Sequence, residues 1–202
     1  MALFHERNGI EFFSMRKFPT TTSYVQSSRP PASGVRGALD SLIQGSLVEL
    51  FAAYSVAVAP LPRQTRQTTP TLPDISAAVG FTREGVQGRL TLSLPARVLD
   101  LMPPSAGGTL KSDWARELAN QLIGRIKNRL LQFNVRLQVG VSTVLEANKL
   151  AHQLESSTDL RIYSGRTLRG EVLVTVDGMP DESKLVYVGT ASTRAEGEAI
   201  LF

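Results

Sequence analysis

Leu118, Leu122, Ile126 and Leu130 recur every four residues, with Ala115, Ala119 and Ile123 beside them. An α-helix turns about 100° per residue, so these positions merge into one broad apolar face. The spacing predicts the longest helix of the chain, opening at Asp113-Trp114-Ala115 with Ser112 or Asp113 as N-cap. Asp113, Glu117, Asn120 and Gly124 fall on a narrow stripe of the opposite side. An earlier helix is predicted over Val35 to Tyr54, where Leu39, Leu42, Ile43, Leu47, Leu50 and Phe51 keep helical spacing.

Between and after these helices the period changes. Val56 to Ala59 reads as a strand closed by Pro60-Leu61-Pro62, and Arg63 to Pro73 reads as a loop. Ile75 to Phe81 and Gly88 to Leu94 read as two strands joined through Glu84-Gly85, and Leu92 and Leu94 alternate with Thr91 and Ser93 as in a half-buried strand. A short helix over Ala96 to Leu101 stops before Pro103-Pro104, and Ala106-Gly107-Gly108 leads into the long helix. Further strands are predicted near Val135 to Val141, Leu160 to Tyr163, Arg169 to Val176 and Leu185 to Thr190. A helix or loop lies near Leu145 to Leu154, and a last hairpin loop at Gly178-Met179-Pro180-Asp181. Shifted by 80 positions, Arg36 to Ile43 lies over Arg116 to Ile123. Shifted by 82, Gly88 to Leu92 lies over Gly170 to Val174. That register suggests an internal repeat.

Composition narrows the class. With 202 residues and 42% hydrophobic content there is enough chain for one domain with a core and an appendage. Residues 1–36 carry +3 of the net +4, and include runs of linker character at Phe18 to Thr22 and Ser27 to Gly34, besides a patch at Ile10-Glu11-Phe12-Phe13. They are read as a flexible N-terminal extension, and 37–202 as the domain. The domain carries only +1, which argues against a nucleic-acid-binding fold. No continuous apolar stretch resembles a signal or a membrane span, so a cytoplasmic protein without membrane contact is expected. Cysteine is absent, and His5 and His152 form no ligand pair, so no metal site is expected.

The polar stripe is the candidate chemistry. By spacing alone, an acid and an amide on the wet face of a helix are ordinary. Gly124 is less so, because a helical glycine costs about 1 kcal/mol relative to alanine and marks a place of close approach. Trp114 borders the stripe, as a contact aromatic or a core-edge residue. Arg125, Lys127, Arg129 and Arg136 flank it and are candidates to steer an acidic partner or to serve solubility. A carboxamide both accepts and donates, so it can orient a water molecule.

Asp113, Glu117, Asn120 and Gly124 resemble the D-x-x-x-E-x-x-N-x-x-x-G motif of the CheC/CheX/FliY phosphatases of bacterial chemotaxis. Asn134 to Leu145 is similar to the strand after the CheX helix, and Asp74 to Met102 to the family's hairpin and following helix. The likeness covers most of 37–202, and departs where the family has a proline and this chain has Ser142-Thr143. It implies an α+β fold, with an antiparallel sheet covered by two long pseudo-twofold-related helices. It implies one working motif, as in CheX, because Gly37 and Asp40 stand where the repeat would place a second Glu and Asn. It further implies hydrolysis of the aspartyl phosphate of a CheY-like receiver, with Asn120 positioning the water and Glu117 pairing with the receiver's lysine. Asp113, Trp114 and Gly124 would meet the partner. The chain would need no cofactor of its own, Mg²⁺ being supplied by the phosphorylated receiver, and a homodimer through a sheet edge is expected. A non-catalytic CheX-like adaptor that binds a receiver or another partner is the alternative. A basic tail that tethers the domain to nucleic acid or membrane is a weaker one.

Overall fold

Two amphipathic helices lie against a six-stranded antiparallel sheet and supply, with its inward side chains, most of the core. The structure is a computed structural model and describes residues 37–62, 73–102, 110–146 and 159–189. In chain order the elements are α1 (Ala38–Ala52), β1 (Ala59–Pro60), β2 (Ile75–Arg83), β3 (Val86–Leu94), α2 (Ala96–Leu99), α3 (Lys111–Leu130), β4 (Gln138–Leu145), β5 (Arg161–Thr167) and β6 (Gly170–Asp177). The sheet order is β1-β5-β6-β3-β2-β4. This is an α+β architecture with α1 and α3 in mutual contact, α3 on β2, β3 and β4, and α1 on β1 and β5.

The order is symmetric about the β3–β6 ladder. One half runs α1-β1-β2-β3 and the other α3-β4-β5-β6, and the first strand of each half pairs with the hairpin of the other. The repeat glimpsed in the sequence therefore corresponds to two like units whose edges are exchanged. The buried positions of the helices coincide at the same shift of 80: Leu39, Leu42, Ile43, Ser46 and Leu50 match Ala119, Leu122, Ile123, Ile126 and Leu130.

Local chemistry explains the elements. Glu84 and Gly85 both have positive φ (47° and 82°), which gives the two-residue turn that matches strand twist between β2 and β3. The long helix runs into a 3₁₀ turn, Leu131–Phe133, that stops at Asn134, whose φ of 56° is tolerated by a short polar side chain, with Val135 N–H bonded to the Leu130 carbonyl at 3.1 Å. Its acidic first turn (Asp113) and basic last turn (Lys127, Arg129) suit the helix dipole.

Several expectations need correction. The long helix begins earlier than predicted, with Leu110 at the N-cap and no side-chain cap, so neither Ser112 nor Asp113 caps it. Its start is tied down instead by Lys111, whose Nζ lies 2.6 Å from Asp100 Oδ1 and 3.2 Å from the Ala96 carbonyl. Thr91 and Ser93 are fully buried, as are Leu92 and Leu94, so the second half of β3 is covered on both faces and not half-buried. Its hydroxyls are accommodated by pairing, as in the 2.8 Å bond from Ser76 to Ser93. The strand expected near Val135 is displaced to Gln138–Leu145 because Val135 and Leu137 first descend into the core. It runs through Ser142 and Thr143, which pair with Val79 and Ala78 where the resembling family has proline, and a register shift between Val79 and Phe81 falls directly beside them.

The segment 160–176 is a hairpin, β5–β6, turning at Leu168-Arg169, and Leu185 to Gly189 joins no sheet. Asp181 caps a short 3₁₀ turn, Glu182–Lys184, in place of a hairpin loop at 178–181. Val188 N–H bonds only the Gln132 carbonyl, at 2.9 Å, which is too little to define a ladder. The extension and its Ile10-Glu11-Phe12-Phe13 patch, both histidines, the loop at 63–72, the Pro103-Pro104 stop with Ala106-Gly107-Gly108, and residues 147–154 lie outside the described residues.

Truncating the helix–sheet contact reports on this core. Leu122→Ala should lower unfolding free energy by about 2–5 kcal/mol, measured by urea denaturation. A loss below 1 kcal/mol would mean that α3 does not seat on the sheet as described.

Candidate functional site

The rotation of α3 is set by what it buries. Ala115, Leu118, Ala119, Leu122, Ile123, Ile126 and Leu130 face the sheet and α1, and this turns the opposite stripe outward. Glu117 and Asn120 are exposed, one turn apart, while Asp113, Trp114 and Gly124 are half-buried beside them. Among the described residues nothing hydrogen-bonds the Asn120 carboxamide. A Cβ at Gly124 would meet nothing within 4 Å, so no packing among the described residues calls for the glycine.

The remaining stripe residues have internal partners. Asp113 lies 3.5 Å from Arg116 one turn on, an exposed pair of small energetic value. Glu117 Oε1 accepts a hydrogen bond from Gln121 Nε2 at 2.8 Å, and Gln121 Oε1 accepts from the Tyr54 hydroxyl at 2.9 Å. Tyr54 stands in the turn after α1, edge-on to Trp114 with ring centroids 5.5 Å apart and planes at 89°. Trp114 thus borders both the stripe and the core. Sequence reasoning missed Gln121 and Tyr54. Gln121 was findable, since it follows Glu117 by four residues on a helix. Tyr54 was not, because only tertiary folding brings it there.

The equivalent surface of α1 is closed. Asp40, which corresponds to Asn120, accepts a 2.6 Å bond from the Tyr163 hydroxyl and lies 3.5 Å from Arg161. Arg161 also pairs with Glu182 at 3.2 Å, and Glu182 Oε2 accepts from Gly37 N–H at 2.8 Å. Burial and the Asp40 bond together push the Tyr163 phenol well above its ordinary pKa. The inward positions of β2, the strand equivalent to β5, are Ala77, Val79 and Phe81. These offer α3 no polar partner, so only α1 has its polar position drawn into the fold.

Of the flanking basic residues, Arg129 is committed across the helix pair to Glu49 and the Leu42 carbonyl, so it is no free steering charge. Arg136 is exposed. Among the described residues no group of three or more His, Asp or Glu is arranged to hold a metal ion, and no helix is long and apolar enough to cross a membrane. A polar cleft of about 790 Å³ lined by Arg83, Asn134, Asp159, Arg161 and Lys184 lies elsewhere, and no stripe residue borders it.

No family model matches the chain, and no curated protein matches it. Solved structures do. A CheC-like superfamily protein from Shewanella sp. PV-4 aligns over 68% of this chain and 95% of its own length, with TM-score 0.56 and 14% identity. CheX from Vibrio vulnificus aligns over 69% and 97%, with TM-score 0.56 and 12% identity. A putative chemotaxis protein from Desulfovibrio vulgaris Hildenborough aligns over 69% and 96%, with TM-score 0.55 and 14% identity. The chain has the CheC/CheX fold.

Two measurements follow from the site and its closed counterpart. Gly124→Ala should stabilise the protein by about 0.5–1 kcal/mol, seen as a raised Tm, since the helix gains a better former and the methyl meets open space. A lowered Tm would place an unrecognised contact there. Because Tyr163 keeps its proton in the folded state, stability should fall as pH rises above about 10, where the unfolded phenol ionises. Tyr163→Phe should flatten that decline in a pH series of urea melts.

Proposed function

We propose that this chain dephosphorylates the aspartyl phosphate of a CheY-like receiver. The observation that carries this reading is that Glu117 and Asn120 stand exposed and adjacent on α3, beside an unobstructed Gly124, in a chain with the CheC/CheX fold. Hydrolysis of an aspartyl phosphate passes through a loose transition state, in which orienting the nucleophile matters more than strong base catalysis. In this reading the Asn120 carboxamide holds a water in line with the phosphorus. The water's oxygen bonds to phosphorus as the bond to the aspartate oxygen breaks, releasing inorganic phosphate and the free carboxylate. Fixing that water contributes several orders of magnitude by orientation alone.

Glu117 pairs with the lysine beside the receiver's phosphate and sets the register of insertion. Asp113 and Trp114 form the rim, and Gly124 lets the partner backbone come close. Mg²⁺ belongs to the receiver, and no cofactor of this chain is called for. The activity is assigned to residues 37–202, with 1–36 as an appended extension, and to a cytoplasmic setting where receivers act. The homodimer implied by the resemblance has an edge to use. Among the described residues β4 is an edge strand with one side unpaired, and Val139, Val141 and Val144 are exposed on it, Val141 at 80%.

Decay of a phosphorylated CheY-like receiver, followed with and without the protein, tests the reading. Wild type should accelerate decay, and Asn120→Ala should return it to the receiver's intrinsic rate while complex formation persists. Glu117→Ala should weaken the complex about tenfold. Binding without acceleration by the wild type would instead identify a non-catalytic adaptor. Val141→Lys should shift a dimer to monomer by light scattering, and an unchanged mass would remove the β4 edge from consideration.

A further inference from the structure

Glu117 is a long, exposed side chain, yet it is not free to wander. It is the end of a chain of two hydrogen bonds that begins in the turn after α1: Tyr54 hydroxyl to Gln121 Oε1 at 2.9 Å, then Gln121 Nε2 to Glu117 Oε1 at 2.8 Å. The direction of this chain is dictated by charge. An ionised carboxylate only accepts, so the amide nitrogen must face Glu117 and the amide oxygen must face the tyrosine. The tyrosine is itself anchored, packed on the core and edge-on to Trp114. One carboxylate oxygen of Glu117 is thereby occupied, and the second has no partner among the described residues.

We propose that Tyr54 and Gln121 are positioning residues that hold the Glu117 carboxylate in the rotamer in which it receives a cationic side chain of the partner. This rests on the receiver-phosphatase reading and adds to it a part supplied by the turn after α1. An unrestrained glutamate would lose rotamer freedom on meeting its partner, and that cost falls on binding. With the relay in place the freedom is already gone before the encounter. The relay acts on recognition, not on the attacking water, because it ends on Glu117 and, among the described residues, forms no hydrogen bond with the Asn120 carboxamide.

The test is a double-mutant cycle on decay of a CheY-like receiver phosphorylated with acetyl phosphate in Mg²⁺, with receiver concentration varied. Tyr54→Phe keeps the ring and its packing, and should raise KM roughly 3- to 10-fold with kcat within about twofold, as expected when recognition is weakened uniformly. Gln121→Leu should do the same. In a Glu117→Ala background Tyr54→Phe should change neither constant. An equal effect of Tyr54→Phe in both backgrounds, or a fall in kcat at constant KM, overturns the relay while leaving the phosphatase reading intact. A wild type that leaves receiver decay unchanged overturns the phosphatase reading itself. In that case the Gln121 side-chain amide signals in a ¹⁵N spectrum of the protein alone still decide the relay. They shift on both Tyr54→Phe and Glu117→Ala if the bonds hold Glu117, and stay in place if they do not.

Discussion

The burial of one face of α3 against β2, β3 and β4 is the constraint on which the rest depends. Leu118, Leu122, Ile123, Ile126 and Leu130 are essentially without solvent contact. Each such side chain contributes about 1.5–3 kcal/mol relative to an exposed one. Turning the helix by a single residue would bring several of them to the surface together, a loss no surface hydrogen bond offsets. Glu117, Asn120 and Gly124 therefore face outward because of what lies behind them.

The two-unit plan explains why only one helix carries an open polar stripe. Both helices bury equivalent positions, and both have a polar residue at the position of Asn120. What differs is the strand beneath. Under α1, β5 supplies Arg161 and Tyr163, which together with Glu182 engage Asp40 and close that surface. Under α3, β2 supplies only Ala77, Val79 and Phe81. The same architecture thus makes a structural network in one half and leaves an unengaged amide in the other, and the choice lies in the sheet.

The helices also communicate at their surface. Tyr54, just past the end of α1, reaches Gln121 on α3, and through it Glu117. Side chains placed on a packed helix pair move less than those on loops, which suits a site that works by orientation. Gly124 completes the arrangement by absence, since no described residue comes within 4 Å of a Cβ placed there.

Much of this was written in periodicity. The four-residue recurrence from Leu118 to Leu130 identified α3 and the side it shows to water, because a 3.6-residue turn makes face membership a local property. The Glu84-Gly85 turn was legible for a similar reason, as backbone preference there acts over two residues. The shift of 80 between the helices pointed to two like units before any contact was known. The bounds of β4, the fate of Leu185 to Gly189 and the burial of Thr91 and Ser93 were not legible, because strand pairing and coverage are settled by distant segments. Asp40 and Asn120 look alike along the chain, as polar positions on amphipathic helices. The motif residues already set Asn120 apart from Asp40, but only the tertiary structure closed one surface and left the other open, by bringing Tyr163, 123 residues away, onto Asp40 and no described polar group onto the Asn120 carboxamide.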